Sequence, residues 1–254
     1  MSMLKIGAQL IIWGQRVKSD LLGVLDEVSS IGYEGIECGP DTFDGVSDAK
    51  EVLASRGLSL VGFHTSISFT SKEDVEQAVT TIKNLGGKYL IFSGAGGREN
   101  TDENYLKNSK RLEEYGKLAK EHGVTVCYHN HWQEIVNDER GTRLIIENTD
   151  PEHVLLCIDT YWVKHGGGDP LDFIKRHKDR VAFLHLKDGT IEGMKKTPPE
   201  FVELGRGVID FPAIIETAKS LGIEWLVVEQ DRTSLTPKES MDISRRYLKE
   251  KIGL

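Results

Sequence analysis

Long apolar runs, an excess of basic charge and paired cysteines are all missing from this chain of 254 residues. Each absence removes a class of protein. No apolar stretch approaches the roughly 18–20 residues that a membrane-spanning helix needs. The N-terminus runs into a strand-like segment, Leu4–Leu10, without a basic-then-apolar leader, so a cytoplasmic protein with no membrane attachment is expected. Lys and Arg total 32 against 40 Asp and Glu, a net charge of −8, and the densest basic spots, Lys195-Lys196 and Arg245-Arg246, are dipeptides. Binding to a phosphate backbone needs clustered cations that release counterions, so no nucleic-acid partner is expected. The three cysteines, Cys38, Cys127 and Cys157, form no Cys-x-x-Cys pair. That excludes a disulfide framework and a thiolate metal site, and leaves three small buried hydrophobes in a reducing compartment.

What is present is an alternation of two patterns from end to end. Strand-like runs fall at Lys5–Gln9, Gly35–Cys38, Ser59–Thr65, Tyr89–Ser93, Thr125–His129, Leu155–Asp159, Ala182–Leu186 and Leu226–Glu229. Most are continuous Val, Ile, Leu or Phe instead of strictly alternating, as expected where both faces of a parallel sheet are covered. Between them lie amphipathic stretches with readable ends. Ser19–Ile31 stops at Gly32, Ser71–Leu85 opens with a capping-box pattern in which Asp74 follows Ser71 by three, and Thr101–His122 stops at Gly123. Asp169-Pro170, Asp210 and Thr236-Pro237 open three more. A β-α unit repeated eight times, with no composition break or long linker, predicts a single (β/α)8 TIM barrel over residues 1–254. The rival, an open doubly wound sheet, would want a glycine-rich phosphate loop after the first strand. Gln9–Gly14 offers one glycine. His165 to Pro170, with three successive glycines, reads as a mobile loop leading to a helix cap.

The last four strand-like runs each lead to a side chain that can ligate a metal. In Tyr128-His129-Asn130-His131-Trp132-Gln133-Glu134, His129 and His131 project to one face of the strand. Two imidazoles and a carboxylate at one strand end are costly in a plain core, because each needs a polar partner when buried. Asp159 follows four apolar residues, His185 ends the seventh run and Glu229 ends the eighth. Barrel chemistry sits at the C-terminal ends of the strands, and such a donor set suits a divalent cation. Around it, Lys187 shares a face with His185, Trp162 could wall a sugar ring, and His64 ends the third run. Arg206, in Glu203-Leu204-Gly205-Arg206-Gly207, could hold an anionic or polyhydroxyl substrate.

Together these segments resemble the sugar phosphate isomerase/epimerase superfamily, the xylose isomerase-like TIM barrels, over essentially the whole chain. The superfamily includes ketose 3-epimerases, hydroxypyruvate isomerase, keto-inositol dehydratase and, more distantly, endonuclease IV. The carriers are Gly35-Ile36-Glu37, Tyr128-His129-Asn130-His131, Ile158-Asp159-Thr160, His185-Leu186-Lys187-Asp188, Glu203-Leu204-Gly205-Arg206-Gly207 and Val228-Glu229-Gln230-Asp231. The resemblance implies one divalent metal ion, Mn²⁺ foremost with Mg²⁺, Co²⁺ or Zn²⁺ as alternatives. Its ligands would be Asp159, His185, Glu229 and a fourth group. Where the epimerases have a Glu at the end of the fifth strand, this chain has His-Asn-His, as the keto-inositol dehydratase and keto-glycoside branches do. Glu134 or His131 is then expected as fourth ligand, with His131, Glu229 and His129 as acid-base residues and His64, Trp162, Lys187 and Arg206 binding substrate. The implied activity is isomerisation or epimerisation of a sugar or keto-sugar through an enediolate. A lyase acting on a keto-inositol or keto-glycoside is the second reading, and a non-catalytic carbohydrate-binding subunit comes from a different class. The expected partner is a small carbohydrate, and a homo-oligomer is open.

Overall fold

The computed structural model describes residues 4–254. Eight parallel strands follow one another in sequence order and close into a barrel: β1 (Lys5–Gln9), β2 (Gly35–Cys38), β3 (Ser59–Ser66), β4 (Tyr89–Ser93), β5 (Thr125–His129), β6 (Val154–Asp159), β7 (Val181–Leu186) and β8 (Trp225–Val228). The continuous apolar runs are buried on both faces, with β2 and β8 buried at every residue. Among the described residues no helix is long and apolar enough to cross a membrane.

The chain divides into two compact units, Met1–Val61 with Phe183–Leu254, and Gly62–Ala182. In the first, β1 pairs with both β2 and β8, and β7 pairs with β8, all parallel. In the second, β4 pairs with β3 and β5, and β5 with β6. Gly62 lets strands approach there: a Cβ on it would meet the Tyr89 carbonyl oxygen at 2.2 Å.

Helix ends follow the sequence punctuation. Asp20 caps Leu21–Ile31 through the Gly23 N–H, and Gly32 closes it at φ 94°. Ser71 and Asp74 complete the capping box of Lys72–Leu85. Asp169, Asp210 and Thr236 cap helices that carry Pro in the first turn. One segment departs from expectation, and a second carries a break for which the sequence sets no expectation. His165 does not open a loop but ends a short helix, Thr160–His165, and its ring stacks on Tyr161 with an interplanar angle of 13°. The helix Trp132–Glu147 is broken at Asn137, Asp138 and Glu139, all with positive φ.

Candidate metal centre

Each unit sets one imidazole beside one carboxylate by the same construction. In Gly62–Ala182, His129 is the register partner of Cys157, and Asp159 stands two residues further along β6. Side chains two apart share a strand face, so Asp159 falls beside the His129 ring. The outcome is a separation of 3.5 Å between His129 Nε2 and Asp159 Oδ2, with both residues buried. In the other unit, His185 is the register partner of Val227, and Glu229 stands two residues beyond Val227. The Glu229 N–H donates to the Leu186 carbonyl at 3.1 Å, which carries the ladder past the end of β8. Glu229 Oε2 lies against His185 Nδ1.

Neighbouring polar groups hold each pair. Asp159 Oδ1 accepts the Trp162 N–H at 2.8 Å as the cap of Thr160–His165, which turns Oδ2 toward His129. The Asn130 amide brackets the Asp159 backbone, accepting its N–H at 3.0 Å and donating to its carbonyl at 3.4 Å. His185 Nε2 lies 2.7 Å from Glu37 Oε2, and both residues are fully buried. A carboxylate on one imidazole nitrogen fixes the tautomer and offers the other nitrogen to a metal. Lys187, with 0% exposure, sets its ammonium 3.3 Å from Glu229 Oε1 and 2.8 Å from Asp231, above the Phe201 ring at 4.6 Å.

His129, Asp159, His185 and Glu229 each offer a ligand atom within 4.8 Å of the others, and all four are buried. Two imidazole nitrogens and two carboxylate oxygens fit a divalent ion such as Zn²⁺ or Mn²⁺. Asp159, His185 and Glu229 thus stand in the group expected from sequence, but Glu134 does not. Its Oε2 accepts the His131 N–H at 2.8 Å in a capping box, and its Oε1 accepts the hydroxyls of Tyr105 at 2.8 Å and Tyr128 at 3.1 Å. Burial pushes the Glu134 carboxyl above its ordinary range, against the pull of these three donors. The fourth member of the group is His129, expected from sequence as an acid-base residue.

The remaining candidates separate. The His131 ring lies 4.9 Å from that of His129 and 5.3 Å from that of Trp162, which is itself buried. His64 lies 4.9 Å from the His129 ring and bonds Ser93 Oγ at 3.2 Å. Arg206, on the loop before Phe211–Ser220, pairs with Glu203 at 2.8 Å and keeps 54% of its side chain exposed. Sequence reasoning gave Glu37 no defined role, although its place at the end of a buried strand was the available signal. Asn130 and Asp231 stand in two of the segments that carry the family resemblance, but their spacing gives neither a part in holding Asp159 or Lys187.

Residues 25–251 match the family model of the xylose isomerase-like TIM barrel. The inosose dehydratase of Geobacillus thermodenitrificans is 29% identical over 265 residues, which cover 91% of this chain and 89% of that protein. Among solved structures, the 3-keto-D-glucoside 4-epimerase from E. coli superposes with a TM-score of 0.76 at 18% identity, covering 98% of this chain and 100% of that one. The IOLI protein with a bound zinc atom superposes with a TM-score of 0.78 at 17% identity, covering 98% of each chain. At these identities the structural likeness concerns the fold.

Proposed function

Because the chain belongs to the xylose isomerase-like TIM barrel family, we propose that it is a metal-dependent enzyme that removes a proton α to the carbonyl of a keto-inositol or keto-sugar. The observation that carries this reading is the buried group of His129, Asp159, His185 and Glu229, whose ligand atoms lie within 4.8 Å of one another. These four residues would hold one divalent ion. A bound ion of this kind supplies a Lewis acid for the substrate's carbonyl and hydroxyl oxygens and stabilises negative charge as it develops.

The chain's own residues divide the proton work. Glu229 takes the α-proton, and the buried Lys187 ammonium 3.3 Å from its Oε1 holds the carboxylate in place. His131 is partly exposed beside the Trp162 ring and serves as the acid that protonates the leaving hydroxyl. In dehydration the C–H pair becomes the new C=C bond, the β C–O bond breaks, and the hydroxide leaves as water with the proton from His131. His64, Lys187 and Arg206 bind substrate hydroxyls, and Trp162 backs the His131 ring.

Dehydration of a keto-inositol is the reading preferred here, because a relative matched over 91% of the chain is an inosose dehydratase. Epimerisation begins with the same proton abstraction and is favoured by the fold shared with a 3-keto-D-glucoside 4-epimerase. Incubating the protein with Mn²⁺ and an inosose in D₂O separates the two. Loss of water supports the lyase; solvent deuterium at carbon without loss of water supports the epimerase. Protein that holds no stoichiometric metal, together with Asp159→Asn that alters nothing but stability, would leave a non-catalytic carbohydrate-binding barrel.

A further inference from the structure

The segment Glu203-Leu204-Gly205-Arg206-Gly207 is organised around a single buried carboxylate. Asp188, 1% exposed, accepts four backbone N–H groups: Gly189 at 2.9 Å and Ile209 at 3.3 Å on Oδ1, Gly205 at 3.0 Å and Gly207 at 2.9 Å on Oδ2. Its own carbonyl accepts the Val202 N–H at 3.1 Å, forming an antiparallel bridge at the start of the same segment. The glycines are dictated by this wrapping. A Cβ on Gly207 would stand 2.1 Å from Asp188 Oδ1, and one on Gly205, at φ 80°, would stand 2.3 Å from the Tyr247 ring. With no side chain on either neighbour, Arg206 is the one long side chain at the crest of the turn.

Two further contacts make this more than loop closure. Glu203 receives the Arg206 guanidinium on Oε2 at 2.8 Å and the Ser240 hydroxyl on Oε1 at 3.0 Å, and Ser244 Oγ accepts the Leu204 N–H at 3.2 Å. Asp188 also follows Lys187 directly, so one peptide unit joins the ammonium on Glu229 to the carboxylate that sets the Arg206 loop.

We propose that Asp188 is a positioning residue for substrate recognition. It holds residues 203–209 so that the Arg206–Glu203 pair stands preset as a donor and acceptor for adjacent hydroxyls of an uncharged polyol ring. The pair is net neutral and more than half of the Arg206 side chain faces solvent, which suits hydroxyls better than a phosphate. The substrate part of this inference rests on the proposed function. The anchoring part does not.

The test uses the metal-loaded protein, with Asp188→Asn, Gly207→Ala, Arg206→Met and the double variant Asp188→Asn/Arg206→Met. An amide in place of the carboxylate turns a donor toward the loop's N–H groups, and the Gly207→Ala methyl group breaks the same contact from the other side. On an inosose, Asp188→Asn and Gly207→Ala are each expected to raise KM roughly 10–100-fold with kcat within about threefold, the scale of a binding group displaced by an ångström or so. In the Arg206→Met background, Asp188→Asn should add much less than in the wild type, since most of its effect passes through Arg206 and only the displacement of Glu203 remains. Additive effects, an equal fall in kcat, or an unchanged KM would overturn the proposal. If the wild type turns over no inosose, the functional reading fails along with the Arg206 arm, and amide hydrogen exchange decides the anchor. Gly205, Gly207 and Ile209 should exchange about tenfold faster or more in Asp188→Asn; unchanged protection overturns the anchor as well.

Discussion

Nε2 of His185 lies 2.7 Å from Oε2 of Glu37, across the two fully buried ends of β7 and β2. The contact spends one ring nitrogen on a carboxylate and leaves Nδ1, on the Glu229 side, as the nitrogen able to bind a metal. Orienting carboxylates of this sort raise ligand basicity and fix ring geometry. Glu37→Gln should therefore weaken metal affinity by about tenfold to a hundredfold while leaving the fold intact. Titration of the metal-stripped protein with Mn²⁺ or Zn²⁺ would measure it, and an unchanged Kd would remove Glu37 from the site.

The fourth ligand is tested by a contrast between neighbours. His129→Ala and Asp159→Asn should each lose stoichiometric metal on dialysis, whereas Glu134→Gln should keep it, because the Glu134 carboxylate is occupied by Tyr105, Tyr128 and the His131 N–H. Metal analysis of the purified variants decides. Retention by His129→Ala with loss in Glu134→Gln would restore the assignment expected from sequence. In the wild type, chelation should lower Tm, as for any ligand that binds only the native state.

Glu134 also predicts a pH dependence. Burial raises its folded carboxyl above the unfolded value, so folding favours the protonated form. Its contribution is fully present below the unfolded pKa and is lost as pH rises through the folded one. Glu134→Gln removes this slope and leaves a pH-independent offset from the altered hydrogen bonds. Urea unfolding at a series of pH values should show the wild type losing stability relative to Glu134→Gln as pH rises from the unfolded carboxyl range. Parallel curves would count against the raised pKa.

Lys187 is buried beside Glu229 and Asp231. Lys187→Met removes the cation and leaves the Glu229 carboxylate in a low-dielectric site beside the part-exposed Asp231, a change that costs about 3–5 kcal/mol when one partner of a buried pair is deleted. Added metal should recover part of that loss, since a divalent ion on Glu229 replaces the missing positive charge. Calorimetry with and without Mn²⁺ would show a larger metal-dependent rise in Tm in Lys187→Met than in the wild type. An equal rise would mean that Lys187 does not act on Glu229.

Much of the site could be read in one dimension because the barrel turns sequence position into spatial position. Asp159, His185 and Glu229 each follow an uninterrupted apolar run, and in a parallel barrel the residue that ends such a run reaches the C-terminal rim. Glu134 stands three residues after His131, the spacing of a capping box, and at the helix N-terminus its carboxylate accepts the His131 N–H, so it is not among the four residues that group. The kink at Asn137–Glu139 left only a weak sequence mark: Asn137 and Asp138 are the non-glycine types that enter the left-handed region most readily, but Glu139 is not.

By itself the sequence determined the barrel, its strand order, most helix caps and three of the four candidate ligands, because hydrophobic period and capping chemistry act between residues close in the chain. Only the tertiary structure decided that His129 and not Glu134 stands beside Asp159, that Glu37 orients His185 from 148 residues away, and that Asp188 gathers the Arg206 loop. These depend on strand register and on which buried donor meets which acceptor, and both are set when distant segments pack.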